Sequence, residues 1–246
     1  MRRERRSGDG TACERDGRRH GNSSSPASTN RGTACRRPPA PLDLERELSA
    51  RGFVRVCGID EAGRGPLAGP VVAAAVILPP LFSHPFLNDS KRLSAAQREE
   101  AYGHLTRDPG VAWSVARVEA AEIDRVNILQ ATWMAMVAAR NGLVPPPDWT
   151  LVDGRPVPPL GSACTSVVRG DSRSLSIAAA SVIAKVTRDR LMEELDREHP
   201  AYGFARHKGY GTAAHLRALE KAGPCPAHRR SFFPVAQAEN RRKTAG

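Results

Sequence analysis

The sequence predicts an α/β domain, and three features predict it. Short apolar runs of strand length alternate with longer segments of helical periodicity along residues 53–222. Acidic residues stand at the ends of those runs, where α/β sheets gather functional carboxylates. A turn holding Gly63, Gly65 and Gly69 joins the first two runs, and glycine there lets backbone N–H groups come close to a ligand.

The elements follow in order. Residues 42–50 suit a short helix. Phe53 to Asp60 and Val71 to Leu78 read as strands around the glycine turn. Ser94 and Gln97 have capping-box spacing and should start a helix running to about Leu105. Val111 to Val118 is a third strand. Ala120 to Leu143 reads as one helix, with Leu129, Trp133, Met136 and Val137 at i, i+4, i+7 and i+8 as its core stripe. Pro145, Pro146 and Pro147 stop it. Trp149 to Val152 is a short strand ending at Asp153 and Gly154. Ser176 to about Glu198 is a long helix closed by Pro200, and after a Gly-rich basic loop a further helix spans Thr212 to Ala222. Residues 1–41 carry almost no large apolar side chains and are expected to be disordered, because they cannot bury enough surface to offset ordering entropy. Residues 239–246 are expected to fray as a basic tail.

The 246 residues suffice for a domain with a substantial core. A net charge of +11 points to a polyanionic partner. The charge is uneven: residues 1–41 hold ten arginines against four acids, so +6 of it lies in the tail. Cys13, Cys35, Cys57, Cys164 and Cys225 are odd in number and widely spaced, which argues against a zinc site or a disulfide framework and fits a reducing cytoplasm. No run of about 18 apolar residues suggests a membrane span, and the N-terminal residues lack the apolar core of a secretory signal.

Candidate chemistry sits at three places. Asp60 and Glu61 end the first strand, Asp153 ends another, and Asp171 precedes the long helix. Four converging acids repel one another unless cations lie between them, as at a two-metal hydrolytic site. Taken singly, Asp153 is equally a turn residue and Asp171 equally a helix cap. Asp60 and Glu61, adjacent on a strand, share a site only where the strand ends or bulges. On the long helix, Ser181, Lys185 and Arg188 form a polar stripe at i, i+4 and i+7, expected to face a ligand phosphate. Ser90 and Lys91, with Asp89 and Arg92, place cations beside a helix start that attracts anions. Lys208 and Tyr210 lie in a glycine-bearing loop suited to backbone contact and to stacking on a sugar or base. The segment His228 to Phe232 reads, by itself, as solvated charge.

Together Gly58 to Pro70, Asp89 to Leu93, Val152 to Gly154, Gly170 to Asp189, Lys208 to His215 and His228 to Phe232 resemble the type 2 ribonucleases H, bacterial ribonuclease HII in particular. The resemblance covers roughly residues 50–235 and leaves the tail outside a catalytic domain at 42–238. It implies an RNase H-like fold, a central mixed sheet flanked by helices, with a C-terminal helical extension. It implies cleavage of RNA in RNA–DNA hybrids and incision 5′ to single ribonucleotides in duplex DNA, by a monomeric cytoplasmic enzyme using Mg²⁺ or Mn²⁺. Asp60, Glu61, Asp153 and Asp171 match the metal-binding carboxylates. Gly63, Arg64 and Gly65 match the loop that reads the ribose 2′-hydroxyl, and Tyr210 the junction-sensing tyrosine. An inactive binding module would lack one of the acids; a phosphate loop would need G-x-x-x-x-G-K-[ST]; ribonuclease HIII usually carries a folded N-terminal domain and a lysine where Arg64 stands.

Overall fold

Five strands, β1 (Val56–Ala62), β2 (Val71–Ile77), β3 (Ala112–Val118), β4 (Trp149–Asp153) and β5 (Cys164–Val167), form one mixed sheet in the computed structural model. The structure describes residues 40–85, 87, 90 and 93–245. Residues 1–39, on which the expected disorder falls, lie outside them. The strand order is β3-β2-β1-β4-β5. β1 pairs antiparallel with β2, and β2 with β3, whereas β1, β4 and β5 run parallel. The three parallel strands therefore end at one edge, and the order reverses between β1 and β4, where α/β sheets open a ligand crevice.

Eight helices flank the described sheet: α1 (Asp43–Ala50), α2 (Ala95–Arg107), α3 (Ala120–Val126), α4 (Ile128–Asn141), α5 (Leu175–Glu198), α6 (Phe204–His207), α7 (Ala213–Ala222) and α8 (Phe233–Ala245). α5 covers one face. Every residue of its first ten, Leu175 to Ala184, is buried. Its alanines let it lie against the sheet so closely that a Cβ at Gly58 of β1 would come within 2.2 Å of the α5 backbone at Ser176 and Ile177. α4 covers the other face, packing Ala131, Ala135, Met136 and Ala139 against Ile59, Ala73 and Val152. Each large side chain fully buried in these layers contributes about 1.5–3 kcal/mol. α6, α7 and α8 form the C-terminal extension, with Leu219, Val235 and Ala238 closing over Leu67. No described helix is long and apolar enough to cross a membrane.

The structure changes several local expectations. The capping box forms, with Ser94 Oγ accepting from Gln97 N (3.2 Å) and Gln97 Oε1 from Ser94 N (2.9 Å). The helix expected over Ala120 to Leu143 is two, because Asn127 takes a positive φ of 71° and its side chain caps Leu129 N and Gln130 N. The buried stripe of α4 is accordingly shifted: Ala131, Thr132, Ala135, Met136 and Ala139 face inward, while Leu129 is 41 % exposed. β5, four residues with Thr165 and Ser166 at its centre, had no apolar signature. Ala40 and Pro41 already belong to the fold: Ala40 N donates to Leu87 O, and Pro41 O accepts from Leu175 N. Residues 239–245, expected to fray, complete α8.

Candidate active site

Asp60, Glu61 and Asp153 stand at the carboxyl edge of the parallel strands, and Asp171 follows Gly170, whose amide donates to Asp153. Ile59 of β1 is paired with Val152 of β4, and the same register carried one step further sets Asp153 beside Asp60. Adjacent strands are about 4.8 Å apart, so two carboxylates share this edge. Asp60 pairs with Ala74, whose neighbours form the α5 layer, and Glu61 with Ala73 of the α4 layer. The two acids thus leave opposite faces, as alternation requires. They still belong to one site because β1 ends there. Asp60 is buried and its Oδ1 accepts from Glu61 N at 2.7 Å. Burial, then the charges of Glu61 and Asp153, push the Asp60 carboxyl well above the usual carboxylate range, while Ser181 and the Glu61 amide pull it down.

Asp153 Oδ1 accepts from Gly170 N at 2.6 Å. A Cβ at Gly170 would stand 2.6 Å from Ile177 Cδ1 and 3.1 Å from that same oxygen, so glycine allows this approach. Asp171, the next residue, is buried in a short 3₁₀ turn (Gly170–Ser172). Among the described residues no three carboxylate, histidine or cysteine side chains are gathered tightly enough to enclose a metal ion outright. The donor set nonetheless fits a hard divalent cation: oxygen ligands only, with Asp60 held against two further negative charges.

A cleft of about 440 Å³ opens beside Asp60 and Glu61, lined by Gly63, Arg64, Gly65, Ser90, Arg98, Ser181, Lys185, Arg188 and Tyr210. Ser181 Oγ and Ser90 Oγ are 2.8 Å apart and buried. Lys185 pairs with Asp189 at 2.5 Å. Tyr210 is half exposed, and a Cβ on Gly65 would be in ordinary contact with its ring at 3.7 Å. Arg64 pairs with Glu61 at 3.3 Å. Of the expected contacts, the structure therefore brings Gly63, Arg64, Gly65, Ser90, Ser181, Lys185 and Tyr210 to one cleft. Lys91 lies outside the described residues, as do Asp89 and Arg92.

Two expected phosphate contacts have other partners. Arg188 is 1 % exposed, and its guanidinium donates to the carbonyls of Pro70 (3.0 Å), Lys208 (3.0 Å) and Ala68 (3.2 Å). Of the stripe, Ser181 and Lys185 line the cleft, and Arg188 alone reaches behind the glycine loop. The Lys208 ammonium turns to Glu193 at 2.7 Å. Burial lowers the Arg188 pKa to about 10.

Sequence reasoning missed three features. Arg229, read as solvated, is fully buried, and burial lowers its pKa to about 9, with the Arg188 charge adding to the shift. The unpaired carbonyls of the glycine loop were the available signal, since each needs a donor. Arg98 enters the cleft and ties down its rim by donating to Ser90 O and Leu93 O. A second groove of about 480 Å³ opens on the α4 side of Glu61 and Arg64, bounded by Asp153, Arg155, Leu129, Trp133 and Met136. Trp133 and Met136 pack on the core as expected, but they also wall this groove.

Behind Tyr210 lies a histidine cluster. His215 Nδ1 contacts Tyr210 O (3.0 Å), and His215 Nε2 and His228 Nε2 are 3.0 Å apart. His207 stacks on His215, with ring centroids 4.5 Å apart. Burial, reinforced by the neighbouring His215, lowers the His228 pKa to about 4.

Comparison with known proteins bears on the family and the fold. A family model described as ribonuclease HII matches residues 57–235. The chain is 54 % identical over 198 residues to the ribonuclease HII of Syntrophotalea carbinolica, covering 80 % of this chain and 94 % of that one. It is 57 % identical over 197 residues to the ribonuclease HII of Geobacillus kaustophilus, covering 80 % and 75 %. The crystal structure of the ribonuclease H2 from Pyrococcus horikoshii OT3 superposes with a TM-score of 0.62 at 27 % identity, over 77 % of this chain and 99 % of that one.

Proposed function

Since the chain belongs to the ribonuclease HII family and is a ribonuclease H, a hydrolase acting on the RNA of RNA–DNA hybrids, we propose that it also incises duplex DNA 5′ to a single embedded ribonucleotide, leaving 3′-hydroxyl and 5′-phosphate ends. The observation that carries this reading is the pairing of a carboxylate edge with a glycine loop in one cleft: Asp60 and Glu61 adjoin Gly63, Arg64, Gly65 and Tyr210.

Asp60, Glu61, Asp153 and Asp171 would hold two divalent cations, Mg²⁺ or Mn²⁺. When bound, such ions supply a water of lowered pKa and positive charge for the departing oxygen. Hydrolysis adds water across the P–O3′ bond: the water oxygen joins phosphorus and the 3′-oxygen leaves with a proton. The chain's own residues fix where this happens. Backbone N–H groups of the glycine loop would donate to a ribose 2′-hydroxyl, the one sugar group separating RNA from DNA. The Tyr210 ring over Gly65 packs against the neighbouring sugar and disfavours a second hydroxyl there. Ser90, Ser181 and Lys185 line the wall along which the phosphates run. Arg188 supports the loop from behind and is itself held by the Lys208 carbonyl. The same reading takes the protein to act as a cytoplasmic monomer.

The test is incision of a DNA duplex carrying one ribonucleotide, in Mg²⁺, Mn²⁺ or EDTA, with products sized to the nucleotide. A metal-dependent cut 5′ to the ribonucleotide is expected. Cleavage of a long hybrid alone would overturn the junction reading and favour behaviour like that of ribonuclease HIII.

A further inference from the structure

Between β1 and β2 the chain from Gly63 to Pro70 makes one isolated bridge, Ala68 to His228, with Arg229 N donating to Leu67 O at 2.8 Å; the carbonyls of Gly63, Arg64, Pro66 and Gly69 need other donors. Arg229, about 160 residues further on, provides them. Its Nε donates to Gly69 O (3.0 Å), Nη1 to Arg64 O (2.9 Å) and Pro66 O (2.8 Å), and Nη2 to Gly63 O (2.6 Å) and Gly69 O (2.8 Å). All five N–H directions of the guanidinium are thereby used. Arg188 holds the other end of the loop, at Ala68 and Pro70. It also supports Gly63, where φ is +94° and a Cβ would fall 1.9 Å from Arg188 Nε. Among the described residues neither arginine forms a salt bridge.

Burying a cation without a carboxylate is expensive, and a turn that needed only to be covered would take an apolar side chain. The arrangement has a directional consequence instead. In a planar trans peptide the C=O and the following N–H point opposite ways. With the carbonyls of Gly63 and Arg64 drawn onto Arg229, the amides of Arg64 and Gly65 are turned away from it, and both residues line the cleft. We infer that Arg229 is the positioning residue for 2′-hydroxyl recognition: it orients the Arg64 and Gly65 amides as donors by holding the carbonyls behind them. This inference rests on the proposed reading of the glycine loop.

Lysine at this position keeps the charge, but its three donors on one nitrogen cannot span four carbonyls. The experiment measures binding in an Asp60→Asn background, with and without Arg229→Lys. The probes are a DNA duplex with one ribonucleotide and the identical all-deoxy duplex, and thermal melting is followed in parallel. Expected is a folded protein whose preference for the ribonucleotide duplex shrinks about tenfold while affinity for the all-deoxy duplex hardly changes. Equal weakening on both duplexes, or an unchanged preference, overturns the inference. Arg188→Lys serves where Arg229→Lys fails to fold and should show the same signature; failure of both to fold makes the arginines purely structural and also overturns it. Should the Asp60→Asn parent itself show no preference, the loop's proposed role fails, which is distinguishable from a preference that survives Arg229→Lys.

Discussion

The two sides of the cleft handle buried charge in opposite ways. At the strand ends, Asp60 is packed against the negative charges of Glu61 and Asp153 and receives hydrogen bonds from neutral groups, the Glu61 amide and Ser181. Beneath the glycine loop, Arg229 and Arg188 are buried and donate to backbone carbonyls, Arg229 through all five of its N–H groups and Arg188 through three. The acid side is electrostatically unfavourable as it stands and would become favourable if the proposed cations bound there. The arginine side is satisfied within the fold. The acid edge therefore trades stability for chemistry, whereas the loop is over-determined and rigid. Substitutions on the two sides should move stability and activity in different combinations.

The largest effect is expected at Asp60. Asp60→Asn removes one charge from the repelling set, so activity should fall by more than about a hundredfold, beyond what loss of a supporting group near a metal costs. Thermal stability of the metal-free protein should rise, since a carboxyl whose folded pKa is raised above its unfolded value opposes folding once it ionises. Divalent cation should stabilise the unsubstituted protein by about 2.7 kcal/mol at a hundred times its dissociation constant, read as a higher melting temperature, and much less in the variant. A stability loss in Asp60→Asn, measured by melting in EDTA, would break the comparison on its acid side.

Gly63→Ala tests the other side. The positive φ there and the approach to Arg188 Nε should together cost about 2–4 kcal/mol. Stability and ribonucleotide incision should fall together, in contrast to Asp60→Asn. Melting and single-turnover cleavage check this directly.

Acid should also act on the loop side. With the His228 pKa near 4 in the fold and 6.5 in the unfolded chain, the unfolded state binds more protons between those values. Stability then falls as pH drops from about 6.5 toward 4, by roughly 3 kcal/mol at most. His215 shifts in the same direction, by burial first. Urea unfolding across that range, compared with a His228→Gln variant whose curve should be flatter, checks the sign.

What was legible in the sequence follows the same division. The acid edge and the glycine turn could be read because both are local: a strand end, adjacent carboxylates and glycines at fixed offsets carry their chemistry within a few residues. The Arg229 clamp could not, because its partners lie about 160 residues away and nothing beside Arg229 distinguishes a buried guanidinium from a solvated one. The helix break at Asn127 was missed for the converse reason, since a continuous apolar periodicity hides a single residue with positive φ. The groove walled by Leu129 and Trp133 depends on that break, which turns Leu129 outward.

The smallest effect sharpens the comparison most. Tyr210 belongs to the loop side by position, resting over Gly65, with its carbonyl held by His215. Its ring, however, is half exposed, so its packing contribution to the fold is small. Tyr210→Ala should change stability by no more than about 0.5 kcal/mol. Incision at a single ribonucleotide should drop about tenfold relative to cleavage of a long hybrid, the scale of one lost stacking contact. Tyr210→Phe keeps the ring and should keep the activity. The loop side would then divide into a buried frame, where stability and recognition fall together, and an exposed ring that contributes to recognition alone. Equal losses of stability and incision in Tyr210→Ala would instead assign the ring to the frame.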